Sequence, residues 1–151
     1  MLGSNMSILD LDSYLAGLFD GEGCISARFE KTSTGRKNTR LIISVGMYSR
    51  APVELFKQRF GGGFNKSGKR WSWWVCGITA KESLEVFSKL CILKSEQAKL
   101  GLLLIKEIEK TPISRNNHPK GTQIITSESM ASRQNIINLL STAKLKQYVD
   151  V

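Results

Sequence analysis

Along residues 8–20 the apolar positions Leu11, Leu15 and Leu18 recur at helical spacing, with Ser7 or Asp10 available to cap the first turn, which predicts a helix. The period then changes to two. Over residues 24–30, Ile25, Ala27 and Phe29 alternate with Cys24, Ser26, Arg28 and Glu30, as a half-buried strand requires. A polar loop over residues 32–38, which includes Arg36, Lys37 and Asn38, leads to a second alternating run over 40–47. Here Leu41, Ile43, Val45 and Met47 share one face, while Arg40 and Ser44 share the other with Ile42.

Pro52 suits the first turn of a second helix carrying Val53, Leu55, Phe56 and Phe60, and Gly61-Gly62-Gly63 ends it. Two shorter strands, 64–66 and 70–76, flank a Ser67-Gly68-Lys69 turn, and the face holding Trp74 stays open at this level. Thr79 caps a helix with Leu84, Phe87 and Leu90, and Ser95 caps another through Leu100, Leu104 and Ile108. Residues 111–127 read as a polar loop and 128–146 as a last helix.

Helix, hairpin, helix, hairpin and further helices make an α+β class: an antiparallel four-stranded sheet with helices on one face, in the order αββαββα plus C-terminal helices. The expected organisation is one domain over residues 1–151. Within it, Met1 to Asn5 look like a cloning remnant ahead of Met6, and 111–151 form a C-terminal extension.

The open sheet face would hold Ser26, Arg28, Glu30, Arg40, Ser44, Arg70 and Ser72, with Lys66 and Lys69 near its edge and Arg36, Lys37 and Asn38 in the loop; Trp74 joins them as a DNA-binding candidate with its face left open. Arg and Ser read base edges or grip phosphates, and Glu accepts from a cytosine amino group. Twenty-two Lys and Arg against 13 Asp and Glu give a net charge of +9, which favours a nucleic-acid partner over a membrane. A strand of about nine residues at roughly 3.3 Å each matches about nine base steps, so one hairpin tracks on the order of one helical turn of a major groove.

Other chemistries are disfavoured. The sole histidine, His118, sits in a polar stretch, which removes His-pair metal motifs. Three cysteines without C-x-x-C spacing make neither a disulfide framework nor a zinc site, and fit a reducing compartment. No run is long and apolar enough for a membrane span, and no exported leader is seen, so a soluble intracellular protein is expected.

Asp20 and Glu22 sit where the first helix stops, the end that already carries partial negative charge and free carbonyls. Acids there cost stability unless a cation or an N–H donor answers them. A hard divalent ion such as Mg²⁺, taking Glu22 and a helix-end carbonyl, is the expected answer, with Asp20 in support. Ser13, Gly17 and Gly21 repeat every four residues with Ala16 beside them. They form a ladder on which two copies of the helix would pair closely and bring their acids together.

The stretch Leu15-Ala16-Gly17-Leu18-Phe19-Asp20-Gly21-Glu22-Gly23 resembles the signature of the LAGLIDADG homing endonucleases, and it occurs once. Resemblance to the single-motif members implies a homodimer joined by the signature helices through Ser13, Ala16, Gly17, Asp20 and Gly21. It implies a sheet in each major groove of a nearly palindromic double-stranded DNA target of on the order of 20 base pairs, and a staggered cut with 3′ overhangs. Glu22 would bind Mg²⁺ with the carbonyl of Gly21. Leu93-Lys94-Ser95-Glu96-Gln97-Ala98 resembles the segment that carries a basic residue near the phosphates, here Lys94. Where the family often places a polar residue near the attacking water, this chain has Met47-Tyr48-Ser49-Arg50, which leaves Ser49 or Arg50 as substitutes. An intron RNA maturase on the same scaffold, without cleavage, is the alternative reading, with intron RNA as partner.

Overall fold

The structure, a computed structural model, describes residues 7–31, 33, 35, 37–110, 113–114, 122–123 and 126–147. Residues 1–5, Arg36 and His118 lie outside them. The elements run α1 (Ile8–Glu22), β1 (Gly23–Lys31), β2 (Lys37–Met47), α2 (Arg50–Phe60), β3 (Gly63–Ser67), β4 (Arg70–Cys76), α3 (Lys81–Leu90), α4 (Ser95–Glu109), β5 (Ile113–Ser114), β6 (Thr122–Gln123) and α5 (Ser127–Lys146). The α+β class and the antiparallel four-stranded sheet follow the expectation, with strand order β1-β2-β4-β3.

Both predicted caps of α1 are used at once. The Ser7 hydroxyl accepts the Asp10 N–H at 3.1 Å while the Asp10 carboxylate accepts the Ser7 N–H at 3.3 Å. At the far end α1 runs two residues past Asp20, so Glu22 is its last residue. Gly61 ends α2 with φ 70°, a left-handed conformation open to glycine, and its N–H reaches the Lys57 carbonyl at 2.9 Å.

Two other caps differ from expectation. A 3₁₀ turn, Gly77–Ala80, precedes α3, and the Thr79 hydroxyl donates to the Cys76 carbonyl at 2.6 Å instead of capping the helix. Ser95 is the first residue of α4 and its hydroxyl donates to the Ser88 carbonyl at 2.8 Å, which ties α4 back to α3. Within the expected 111–127 loop, β5 and β6 form a short antiparallel pair.

Leu15 and Phe19 of α1, Ile25, Leu41, Ile43, Trp73 and Val75 of the sheet, Val53 and Phe56 of α2, and Leu84 and Phe87 of α3 make the core. Phe19 stacks on Phe87 with centroids 4.1 Å apart, and Phe56 on Trp73 at 5.0 Å. Arg59 joins three helices. Its Nε and Nη2 donate to the nearly buried Asp12 carboxylate at 2.7 and 3.1 Å, and its Nη1 donates to Glu82 at 2.7 Å. No described helix is long and apolar enough to cross a membrane. Cys24, Cys76 and Cys91 are all free thiols.

Candidate nucleic-acid interface and acid site

The antiparallel register decides which side chains share a face. Arg28 lies opposite Arg40, Cys24 opposite Ser44, and Glu30 opposite Asn38. On the other hairpin Ser67 pairs with Arg70, Asn65 with Ser72, and Gly63 with Trp74. These positions form the face turned away from the buried Ile25, Ile43, Trp73 and Val75. Trp74 is thereby placed on the open face, its ring over Gly63, where an added Cβ would stand 2.2 Å from the indole. Asn65 joins that face as well. Its alternation with the apolar Phe64 was the available signal.

Lys66 lies at the sheet edge, exposed in the edge strand β3 opposite Trp71, with its ammonium 5.3 Å from that ring, which sets it on the helix side of that edge. Lys37 likewise sits at the end of β2 opposite Lys31, and Asn38 is also in the strand instead of the loop. Lys69 stays exposed in the β3–β4 turn.

The open face is less bare of acid than its composition implies. The Glu30 carboxylate accepts from Arg28 Nη2 at 2.8 Å and from Arg40 Nη1 at 3.2 Å. Hydrogen bonds from Arg28 first and Arg40 second hold this carboxyl below its ordinary range. Two cations and one anion therefore present a joined pattern of donors and acceptor toward the loop end of the hairpin.

At the end of α1 the two acids separate. Asp20 accepts three backbone N–H groups, from Ile92 at 2.7 Å, Leu93 at 3.2 Å and Lys94 at 3.0 Å. The Lys94 ammonium turns back and donates to the Asp20 carbonyl. A cation on a helix-end carbonyl is the favourable arrangement for the dipole, and the three N–H groups satisfy the acid. For Asp20, then, protein donors supply what was expected of a metal. Lys94 is 6% exposed, and burial pushes its pKa down while Asp20, Cys91, Cys24 and Glu22 oppose that shift. Beside it, the Cys91 thiol donates to the Ala16 carbonyl at 3.4 Å.

Glu22 is different. It is exposed, and among the described residues it accepts no hydrogen bond and forms no ion pair. It lines an open cavity of about 320 Å³ with Gly46, Met47, Tyr48, Ser49 and Arg70. The turn after β2 is thus brought to the acid, and Ser49 stands in the wall. Arg50 does not. Its guanidinium donates to Glu54 at 3.1 and 3.3 Å and lies 5.0 Å over Trp71, so it is committed to α2 and the hydrophobic edge. Arg70 takes the cationic place instead, its Nη2 donating to the Gly46 carbonyl at 3.0 Å. The available signal was Gly46 itself, a glycine in register on the open face of a strand.

An exposed carboxylate without an internal partner, at a helix end beside the exposed Gly21, suits a hard divalent ion. One chain offers only part of a shell. Among the described residues no cluster of three or more His, Cys, Asp or Glu side chains is found.

On the ladder of α1, Ser13, Gly17 and Gly21 are exposed, and a Cβ at either glycine would meet nothing within 4 Å. Ala16 is a correction: it is fully buried in the chain's own core, off that exposed face. Asp20 is half-buried and occupied by the 92–94 backbone.

No protein-family model and no curated protein matches this sequence. Solved structures do match. The homing endonuclease I-CvuI, in complex with the I-CreI target in the presence of 2 mM Mg with the DNA not cleaved, superposes with a TM-score of 0.70 at 19% identity over 87% of this chain and 80% of that one. The archaeal intron-encoded homing endonuclease I-Vdi141I, complexed with DNA, gives 0.68 at 13% identity over 87% and 82%. The LAGLIDADG homing endonuclease I-SmaMI bound to cleaved DNA gives 0.64 at 20% identity over 83% of this chain and 42% of that one. On these superpositions this chain has the fold of the LAGLIDADG homing endonucleases.

Proposed function

We propose that this protein is a single-motif LAGLIDADG homing endonuclease that makes a divalent-dependent, staggered double-strand cut in a long, nearly palindromic DNA site. The observation that carries the reading is Glu22, an acid without an internal partner, at the end of α1 and in the wall of a cavity that opens beside the sheet's polar face. RNA binding alone gives an acid no reason to stand there unanswered.

The chain supplies one half of the machine. It carries the signature once and matches 42% of I-SmaMI but 80% of I-CvuI. The exposed Ser13, Gly17 and Gly21 let a second α1 approach closely, which sets the Glu22 of each protomer near the two-fold axis. Asp20 locks the 92–94 backbone against α1, which fixes the direction of the helix end and keeps the buried charge of Lys94 near Glu22. Arg28, Glu30, Arg40, Ser26, Ser44, Ser72 and Trp74 read the groove, and Lys69 grips backbone phosphate. When bound at Glu22 and the Gly21 carbonyl, Mg²⁺ supplies an activated water and charge neutralisation at the phosphate and the leaving oxygen.

The test is cleavage of a library of near-palindromic duplexes with Mg²⁺, run beside Glu22→Gln, which keeps the shape and removes the charge. Staggered ends with 3′ overhangs from the parent, and binding without cutting from the variant, are expected. If neither protein cuts any duplex while both bind structured RNA tightly, the maturase reading replaces this one.

A further inference from the structure

Arg70 is the first residue of β4, and its guanidinium folds across β2 onto Gly46. A Cβ at position 46 would stand 2.4 Å from Arg70 Nε, 2.8 Å from Nη2 and 2.9 Å from Cζ, so a side chain there would displace the arginine. Glycine in mid-strand weakens a sheet by offering nothing to pack. At position 46 it makes room for a cation.

That cation is set apart from its neighbours. Arg28 and Arg40 are held by Glu30, Arg50 by Glu54, and Arg59 by Asp12 and Glu82. Arg70 is exposed and forms no ion pair among the described residues. Among the described residues its one hydrogen bond, from Nη2 to the Gly46 carbonyl, leaves most of its N–H donors unspent. Across the same cavity stands Glu22, equally unpaired. A guanidinium fork and a carboxylate that share a wall without neutralising each other leave a place for a group that needs both: a tetrahedral phosphate for the fork, a divalent ion for the acid.

We propose that Arg70 is a catalytic residue, the cation that takes the non-bridging oxygens of the scissile phosphate, held in place by Gly46. The inference rests on the nuclease reading above. It gives the cavity wall a cation from β4, where Arg50 of the segment Met47-Tyr48-Ser49-Arg50 is not in the lining. In the hydrolysis a water oxygen bonds to phosphorus and releases its proton to solvent. The bond from phosphorus to the 3′ oxygen breaks with its electron pair, and that oxygen takes up a proton from solvent. Arg70 contributes charge where it develops.

The experiment uses a duplex recovered from the near-palindromic library, with two readouts on the full chain. Single-turnover cleavage at saturating protein with Mg²⁺ gives the rate constant, and fluorescence anisotropy with Ca²⁺ in place of Mg²⁺ gives affinity and its salt dependence. For Arg70→Met the rate constant should fall about 100-fold, while affinity falls less than about 5-fold and the log-log salt slope loses about 0.9 per site. Arg70→Lys should recover part of the rate, because a point charge replaces a fork. Gly46→Ala keeps the arginine and suits a strand, and should lose rate in the same direction with an unchanged melting curve. An Arg70→Met protein that cuts at the parental rate, or one whose rate returns to parental once binding is saturated, overturns the inference and leaves the nuclease reading standing. A parent that cuts no duplex overturns both.

Discussion

Asp20 and Glu22 are two positions apart, yet the fold treats them differently. Three N–H donors answer Asp20, whereas among the described residues Glu22 accepts no hydrogen bond and forms no ion pair. The same packing governs Cys91, whose thiol is pushed up to about 12 from an ordinary 9.0, first by burial and then by the charge of Asp20. A raised pKa means that between about pH 9 and 12 the unfolded chain gives up the proton while the folded chain keeps it, so stability falls as pH rises through that window. Urea unfolding of the parent beside Cys91→Ala should show the alanine protein losing less stability from pH 9 to pH 11. Parallel declines would remove Cys91 from the account. In the same packing, iodoacetamide at pH 8 should label the exposed Cys24 and spare Cys91.

At the scale of elements, the hairpins were legible because period-two alternation is a local property, and β4 was placed residue for residue. Caps were less legible, since a serine or threonine near a helix start bonds whichever carbonyl lies closest, as Thr79 and Ser95 do. The tie between α1, α2 and α3 was invisible: Asp12 and Arg59 are 47 positions apart, and no sequence period connects them. Because Asp12 is nearly buried, Asp12→Ala leaves Arg59 with Glu82 as its one ion-pair partner among the described residues and should cost about 3 kcal/mol. Glu82 is 63% exposed, so Glu82→Ala should cost less than about 1 kcal/mol. Chemical denaturation of both variants orders the two costs. The reverse order would mean that the surface pair is the structural one.

For the whole molecule the question is why α1 keeps glycines that its own chain does not require. A Cβ at Gly17 would meet nothing within 4 Å, and glycine inside a helix costs about 1 kcal/mol relative to alanine. That cost is explained if a second backbone must come close. Gly17→Leu should therefore leave the protomer at least as resistant to unfolding while sedimentation shifts from dimer to monomer and cleavage is lost. A destabilised protomer, or an unchanged dimer, would place the self-pairing face elsewhere.

The sequence by itself determined the helices, the four strands of the main sheet, the antiparallel class and the acid-ended helix, because alternation and helical spacing are carried by neighbours in the chain. Only the tertiary structure decided the rest. Strand pairing set Lys66 on the helix side and Trp74 on the open face. Core packing took Ala16 out of the exposed ladder. Contact across the sheet put Arg70, rather than Arg50, beside Glu22. Each of these depends on which distant residue lies opposite, and that is fixed when the strands and helices close on a common core rather than by any local spacing.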